Sequence, residues 1–163
     1  MRGEFVELLF IKHLSFFKTL LHVAAQYEIS AKEILPYAPH LLRLLLKRDI
    51  GEMTAYGISY NTINPQGEQT LASGVIYMPR KKKPKGVIEV SPLTRSKLDC
   101  ATRDIMAAEI FPGMIGYITI IPDLIGCGSS SQHPIAYMQH DNVANVSADM
   151  RKAAAQFLQE QYN

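Results

Sequence analysis

The chain has 163 residues, of which 47% are hydrophobic and 20% charged, a composition typical of one globular domain with a sizeable core. The net charge of +2 argues against a nucleic-acid-binding protein, because the cations are largely mixed with acidic residues. Two cysteines are too few for a disulfide framework, and neither has the spacing of a metal site. We therefore expect no metal and no cofactor, and two buried thiols at Cys100 and Cys127.

Residues 1–50 are rich in leucine and phenylalanine and predict a helical N-terminal segment. Within them, residues 5–23 favour an amphipathic helix, because their charged and histidine side chains would cost too much in a bilayer. The apolar runs are shorter than a secretory signal requires, although small residues follow at 23–25. A signal-like start would imply a secreted or periplasmic protein, and otherwise the protein would be cytoplasmic. Weak contact of this Leu-rich segment with a membrane stays an open alternative.

The hydrophobic period changes at about residue 54, which places a second unit at residues 51–163. Alternation through Thr62 predicts a strand, and 64–67 has the residues of a turn. The apolar run 71–78 predicts the second strand of a hairpin. The cationic run 80–85 that follows is interpreted as a solvated loop, with a phosphate or lipid-headgroup patch as the alternative.

Strands and helices alternate after this hairpin. Residues 86–90 predict a third strand, 102–114 a helix, and 117–121 a strand buried on both faces. A loop rich in glycine and serine comes next. Apolar residues at helical spacing from Val143 to Phe157 then predict a helix that Asp141 can cap. A hairpin followed by β-α-β-α indicates an α/β fold with a mostly parallel sheet.

Several short motifs, taken in order, carry a family resemblance. They are Tyr60-Asn61-Thr62, Pro65-Gln66-Gly67-Glu68, Ala72-Ser73-Gly74-Val75, the run from Gly116 to Asp123, Gly126-Cys127-Gly128-Ser129-Ser130, His133-Pro134 and Asp149-Met150-Arg151-Lys152-Ala153-Ala154. This series resembles the first strands and loops of secretory lipases and esterases of the α/β-hydrolase type. The resemblance covers about residues 54–163 and implies the N-terminal half of such a domain, with a partial hydrolase-like sheet.

The resemblance also implies a Ser–His–Asp triad that cleaves esters by acyl transfer. The serine of such a triad lies in a Gly-x-Ser-x-Gly turn between a strand and a helix, and none of the 163 residues forms that pattern. We therefore expect no catalytic residue in this chain. The predicted function is a fragment of a serine hydrolase, of the carboxylester hydrolase or lipase kind, that lacks the nucleophile, acid and histidine and is inactive alone.

The family's oxyanion loop corresponds to Ser91-Pro92-Leu93-Thr94. Proline has no N–H, so Leu93 or Thr94 would have to supply the amide donor; the alternative is an ordinary strand exit. The resemblance places Asp123, Gly126, Gly128, Ser129 and His133 in a structural loop. The neighbours His140 and Asp141 resemble a base with its acid, but triad partners come from distant segments, so helix capping is the preferred interpretation.

The alternative function is a non-enzymatic binding or interaction module that keeps half of the hydrolase fold. Half of a sheet leaves a strand edge and some apolar surface uncovered. We therefore expect either a complementing C-terminal polypeptide or self-association through the exposed edge.

Overall fold

The computed structural model describes residues 1–15, 18, 21, 24–25, 28–37, 39–40, 52–80, 83–91, 100–103 and 107–162. The elements with described bounds are β1 (Phe5–Leu14), α1 (Ala31–Ile34), β2 (Met53–Ile63), β3 (Gln69–Pro79), β4 (Val87–Glu89), α2 (Ala107–Met114), β5 (Ile118–Pro122) and α3 (His140–Tyr162). Short 3-10 turns lie at Leu35–Tyr37 and Gly128–Ser130. No helix in this part of the chain is both long and apolar enough to cross a membrane.

The predicted hairpin is confirmed as β2 and β3, which pair without interruption from Met53 opposite Pro79 to Ile63 opposite Gln69. Asn64 shapes the turn, because its side-chain oxygen accepts hydrogen bonds from the amides of Gln66 (3.0 Å) and Glu68 (2.9 Å). Gly67 completes the turn with a φ of 82°, a conformation that glycine adopts without a steric cost.

The strands lie in the order β1-β2-β3-β5-β4. β1, β2, β3 and β5 pair antiparallel, and only the pairing of β4 with β5 is parallel among the strands described. The α/β class and the β-α-β-α order after the hairpin are confirmed. The expectation of a mostly parallel sheet does not hold for these strands, because the long hairpin and β1 provide most of the pairing.

The N-terminal segment corrects one prediction. Residues 5–14 form strand β1 and not an amphipathic helix, and helical backbone is first described at Lys18. β1 pairs antiparallel with β2, and the Phe10 ring lies against Gly57, where a Cβ atom would collide with it. The segment contains Phe5, Val6, Phe10 and Ile11, residues of types that suit a strand once a partner strand is present. The last ten residues of the predicted helical segment, 41–50, lie outside the described residues.

Two hydrophobic cores cover the two faces of the sheet. On one face, α3 packs against β2, β3 and β5 and buries Val146, Met150, Ala153 and Phe157, which confirms its predicted apolar stripe. On the other face, Ile110 of α2 packs with residues of β2, β3 and β5, namely Met53, Ala55, Val75, Tyr77 and Ile121. β5 is buried along its whole length, as predicted. The sheet is therefore the middle of three layers.

Candidate functional site

The carboxyl end of β5 opens into the loop that the sequence singled out. Asp123 follows the last strand residue directly, and its amide donates to the carbonyl of Ser73 in β3 (2.8 Å). β4 runs parallel to β5 and therefore ends at the same edge of the sheet. In open α/β sheets, ligands bind in the crevice outside the carboxyl ends of the parallel strands. This edge is the first place to look for a functional site.

Asp123 is 1% exposed and its carboxylate is held by hydroxyl groups. Ser73 Oγ and Thr102 Oγ1 both donate to Oδ2, each at 2.6 Å. Burial raises the pKa of Asp123 above its ordinary value of 3.8, whereas the hydrogen bonds from Ser73 and Thr102 act to lower it. Burial is the larger influence, because a charged carboxylate loses its hydration when water is excluded.

Ser73 joins this carboxylate to the loop. Its hydroxyl donates to Asp123 and accepts a hydrogen bond from the Ser129 amide (2.9 Å). Gly128 passes directly over the pair with a φ of 51°, and a Cβ atom there would collide with Ser73 Oγ and Asp123 Oδ2. Ser73, Thr102, Asp123, Gly128 and Ser129, here termed the Asp123 cluster, therefore come from three separate segments of the chain.

The rest of the loop is ordered by its own hydrogen bonds. Ser130 Oγ accepts from the Gly126 amide (3.0 Å) and donates to the carbonyl of Cys127 (2.8 Å). Gly126 has a φ of 94°, and the backbone of Ile135 lies where its side chain would be. Cys127 is buried and forms no disulfide with Cys100, which is buried as well. This loop has a fixed shape that requires its glycines.

The histidines lie apart from the Asp123 cluster. His133 Nε2 lies 2.9 Å from the hydroxyl oxygen of Thr70, three residues before Ser73 in β3. Three strand residues span about 10 Å. His140 and Asp141 have almost fully exposed side chains, with 3.8 Å between Nδ1 and Oδ1. α3 begins at His140, so Asp141 lies in its first turn and not at the predicted cap position.

The described residues contain no assembled triad. In a triad the histidine lies between the serine and the acid, whereas Ser73 donates straight to Asp123. Ser73 and Ser130 are 0% exposed, so neither hydroxyl is presented to a substrate. No group of three or more metal-ligating side chains occurs among these residues. The arrangement fixes a loop at the edge of the sheet.

The predicted oxyanion residues Leu93 and Thr94 lie outside the described residues. Before this gap, the amide of Val90 donates to the carbonyl of Ile120 (2.9 Å). After it, the sulfur of Cys100 lies 3.3 Å from the hydroxyl of Thr102 in the Asp123 cluster.

Sequence reasoning missed a second buried carboxylate, Asp149 of α3. It is 0% exposed and accepts hydrogen bonds from Thr62 Oγ1 (2.9 Å) and Arg2 Nε (3.0 Å). Lys152 Nζ lies 3.5 Å from its other oxygen. Arg2 also donates to Asn145 on the same helix (2.7 Å). A helical-wheel pattern assigns Asp149 to a polar face, and a partner 147 residues away leaves no local signal in the sequence.

Comparison with known proteins finds a match in structure only. No family model and no curated protein matches the chain. A protein of Legionella pneumophila described as a hydrolase has a TM-score of 0.68 and 23% identity, over 96% of this chain and 41% of that protein. The rice cell wall degrading esterase LipA of Xanthomonas oryzae has a TM-score of 0.66 and 18% identity, over 99% of this chain and 39% of LipA. The chain has the fold of these hydrolases.

The chain spans about 40% of the length of these two hydrolases. The resemblance to the N-terminal half of an α/β-hydrolase is therefore confirmed at the level of the fold. The identities are low, so the comparison does not transfer a substrate or a catalytic residue to this chain. Candida antarctica lipase A also matches, at 12% identity with a TM-score of 0.49, over 98% of this chain and 33% of the lipase.

Proposed function

We propose that this chain supplies the N-terminal half of a serine ester hydrolase and has no ester turnover by itself. One observation carries the proposal: nearly the whole chain superimposes on about 40% of two hydrolase structures, one of them an esterase. Acyl transfer requires a nucleophile, a base and amide donors for the oxyanion. In this proposal the chain supplies the sheet and the Asp123 cluster, and a second polypeptide segment supplies the triad.

The serines of the chain support the inactive state. None of the 163 residues forms Gly-x-Ser-x-Gly, the strained turn that exposes a nucleophilic serine. Ser73 and Ser130 are enclosed in hydrogen bonds, and the Ser129 amide is bound to Ser73. A serine that is buried and donates to a carboxylate cannot approach an acyl carbon.

The surface for the complementing segment is the outer edge of β4. β4 is the outermost strand on its side of the sheet that the described residues form, and Val87 at its start is 59% exposed. Arg151 Nε lies 3.0 Å from Glu89 Oε2 and ties α3 to the end of this strand. An edge strand presents unpaired N–H and C=O groups, so an added strand could extend the sheet there.

The same edge favours a second candidate function, a binding module without enzymatic activity. An exposed strand edge can accept a peptide of another protein by strand addition, with affinity from main-chain hydrogen bonds. The two functions differ in what the bound polypeptide contains. A partner that carries Gly-x-Ser-x-Gly and restores ester cleavage supports the hydrolase, and a bound partner without that motif supports the binding module.

The test is complementation. The chain is co-expressed with the polypeptide encoded directly after Asn163, in frame or after one frameshift, and p-nitrophenyl ester hydrolysis is measured. We expect turnover in the mixture only, and we expect its loss when the serine of Gly-x-Ser-x-Gly in the added polypeptide is changed to alanine. Turnover that survives this change, or a downstream region without the motif, would contradict the hydrolase proposal.

The proposed oxyanion donor, Leu93 or Thr94, is tested in the complemented enzyme. Leu93→Pro and Thr94→Pro each remove one backbone N–H, and loss of an oxyanion donor lowers kcat about 100- to 1000-fold. Leu93→Ala and Thr94→Ala keep the N–H and serve as matched controls. If both proline variants retain the kcat of their alanine controls, the donor lies elsewhere.

A further inference from the structure

In the sheet that the described strands form, the outer edge of β1 is a second exposed edge, at the opposite end from β4. Four of its ten residues are large, apolar and exposed: Val6 (45%), Leu8 (39%), Leu9 (39%) and Ile11 (54%). Edge strands of monomeric proteins are usually blunted by charge, proline or bulges. β1 carries two such features, the charges of Glu7 and Lys12 and the register shift between Leu8 and Phe10, yet its four apolar side chains remain exposed and could be covered by a partner.

The register of β1 against β2 fixes which side chains share a face. Paired residues of antiparallel strands lie on the same face of a sheet. Leu8 and Ile11 pair with Ile58 and Tyr56, which pack against the core beneath α3. The register shift between Leu8 and Phe10 is the reason that two residues three positions apart face the same way.

The charged residues of β1 lie on the other face. Glu7 pairs with Ser59 and Lys12 pairs with Ala55, and Ala55 belongs to the core beneath α2. Both side chains are exposed. The strand thus carries an apolar pair on one face and a pair of opposite charges on the other.

We propose that two copies of this chain associate by antiparallel pairing of β1 with β1, about a two-fold axis between Leu9 and Phe10. In this register Glu7 of each copy lies opposite Lys12 of the other, and Leu8 lies opposite Ile11. These two opposed pairs, in the central part of the strand from Glu7 to Lys12, each share a face of the sheet, as antiparallel pairing requires. Glu7 of one copy and Lys12 of the other carry opposite charges and attract each other across the interface. The two five-stranded sheets then form one continuous sheet.

Neighbouring registers fail the same criteria. A slip of one residue in either direction sets Glu7 opposite Ile11 or His13, which lie on the other face of the sheet. Of these three registers, only the proposed one sets Glu7 opposite Lys12 on the same face of the sheet. The proposal is independent of the proposed hydrolase function, because β1 and β4 lie at opposite ends of the sheet.

Analytical ultracentrifugation of the 163-residue chain tests the proposal. We expect a monomer–dimer equilibrium whose Kd rises at least tenfold in Glu7→Lys and in Lys12→Glu, because each change sets like charges against each other twice per dimer. The double variant Glu7→Lys with Lys12→Glu restores the opposite charges and should return the Kd to within about threefold of the starting value. Glu160→Lys, at an exposed position of α3, is the matched control and should leave the Kd unchanged.

Circular dichroism establishes that each variant is folded, which is expected because both side chains are exposed. A chain that stays monomeric at high concentration would overturn the proposal. So would a dimer whose Kd does not respond to the single changes, since association would then use another surface such as the β4 edge. If the double variant dimerises as weakly as the single variants, this register is excluded.

Discussion

Asp123 and Asp149 are both buried carboxylates, but the chain stabilises them in different ways. Asp123, in the loop after β5, accepts hydrogen bonds from the neutral hydroxyls of Ser73 and Thr102. Asp149, in the middle of α3, has Arg2 and Lys152 beside it together with a single hydroxyl, that of Thr62. One carboxylate organises a loop, and the other attaches the N-terminus to a helix.

The difference shows what each site can tolerate. A buried carboxylate with cationic partners depends on those partners remaining in place. Burial raises the pKa of Asp123, whose partners are neutral hydroxyls. The structure around this carboxylate therefore depends on close packing and on each hydroxyl donor. We therefore expect added side-chain volume in the Asp123 cluster to lower the free energy of unfolding, and the contribution of Asp123 to depend on pH. At Asp149, we expect loss of the charge to lower the free energy of unfolding.

Gly128→Ala should have the largest effect on stability. The new Cβ would collide with Ser73 and Asp123, and the residue would hold a φ of 51°. Overpacking and the positive φ together should lower the free energy of unfolding by about 4 kcal/mol. Gly67→Ala is the matched control, because Gly67 also has a positive φ but has nothing within 4 Å of the added atom. The control should lose about 1 kcal/mol in urea unfolding, and equal losses would refute the close packing of Gly128.

Asp149→Ala should come next, with a loss of about 3 kcal/mol. It leaves the buried hydroxyl of Thr62 without its acceptor and Arg2 without its anion. Asp141→Ala removes an exposed carboxylate from the same helix and should change the free energy of unfolding by less than about 0.5 kcal/mol. If urea unfolding shows the same loss of free energy in both variants, Asp149 does not attach the N-terminus to α3.

Ser73→Ala should lower the free energy of unfolding by about 2 kcal/mol, and Thr102→Val should lower it by about 1 kcal/mol. Both changes remove a donor to Asp123, but only Ser73 also accepts the Ser129 amide. The ratio of the two losses in thermal or urea unfolding measures the role of Ser73 in holding the loop. A Thr102→Val variant that loses more than Ser73→Ala would reverse this assignment.

The smallest expected effect is on the pH dependence of the free energy of unfolding. Because the pKa of Asp123 is raised in the folded chain, the folded state holds this proton more tightly than the unfolded state. The contribution of Asp123 to stability is complete below its unfolded pKa and is lost as the pH rises through the raised folded pKa. Asp123→Asn has no such titration, so the stability of the original chain relative to this variant should fall as the pH rises above the ordinary aspartate value of 3.8. A relative stability that rises over this range would contradict the raised pKa.

Local patterns predicted the elements whose neighbours are close in sequence. The hairpin turn follows from Asn64 and Gly67, and α3 follows from the spacing of Val146, Met150 and Phe157. β1 was missed because its strand form depends on β2, about forty residues later along the chain. A run of apolar residues without clear alternation leaves helix and strand unresolved.

The candidate site was predicted in part for the same reason. A loop rich in glycine after a buried strand pointed to Asp123, Gly126 and Gly128. The partners of Asp123 could not be predicted, because Ser73 lies fifty residues earlier, inside a strand. The burial of Asp149 could not be predicted, because its partner Arg2 lies near the other end of the chain.

The central claim is that Ser73 and Ser130 are structural and that, as proposed, ester chemistry needs another segment. The direct measurement is labelling of the folded 163-residue chain with a fluorophosphonate probe, followed by peptide mapping, beside an active esterase as the positive control. The account predicts no labelled serine and no hydrolysis of p-nitrophenyl esters above the uncatalysed rate. Stoichiometric labelling of one serine together with ester turnover would contradict it.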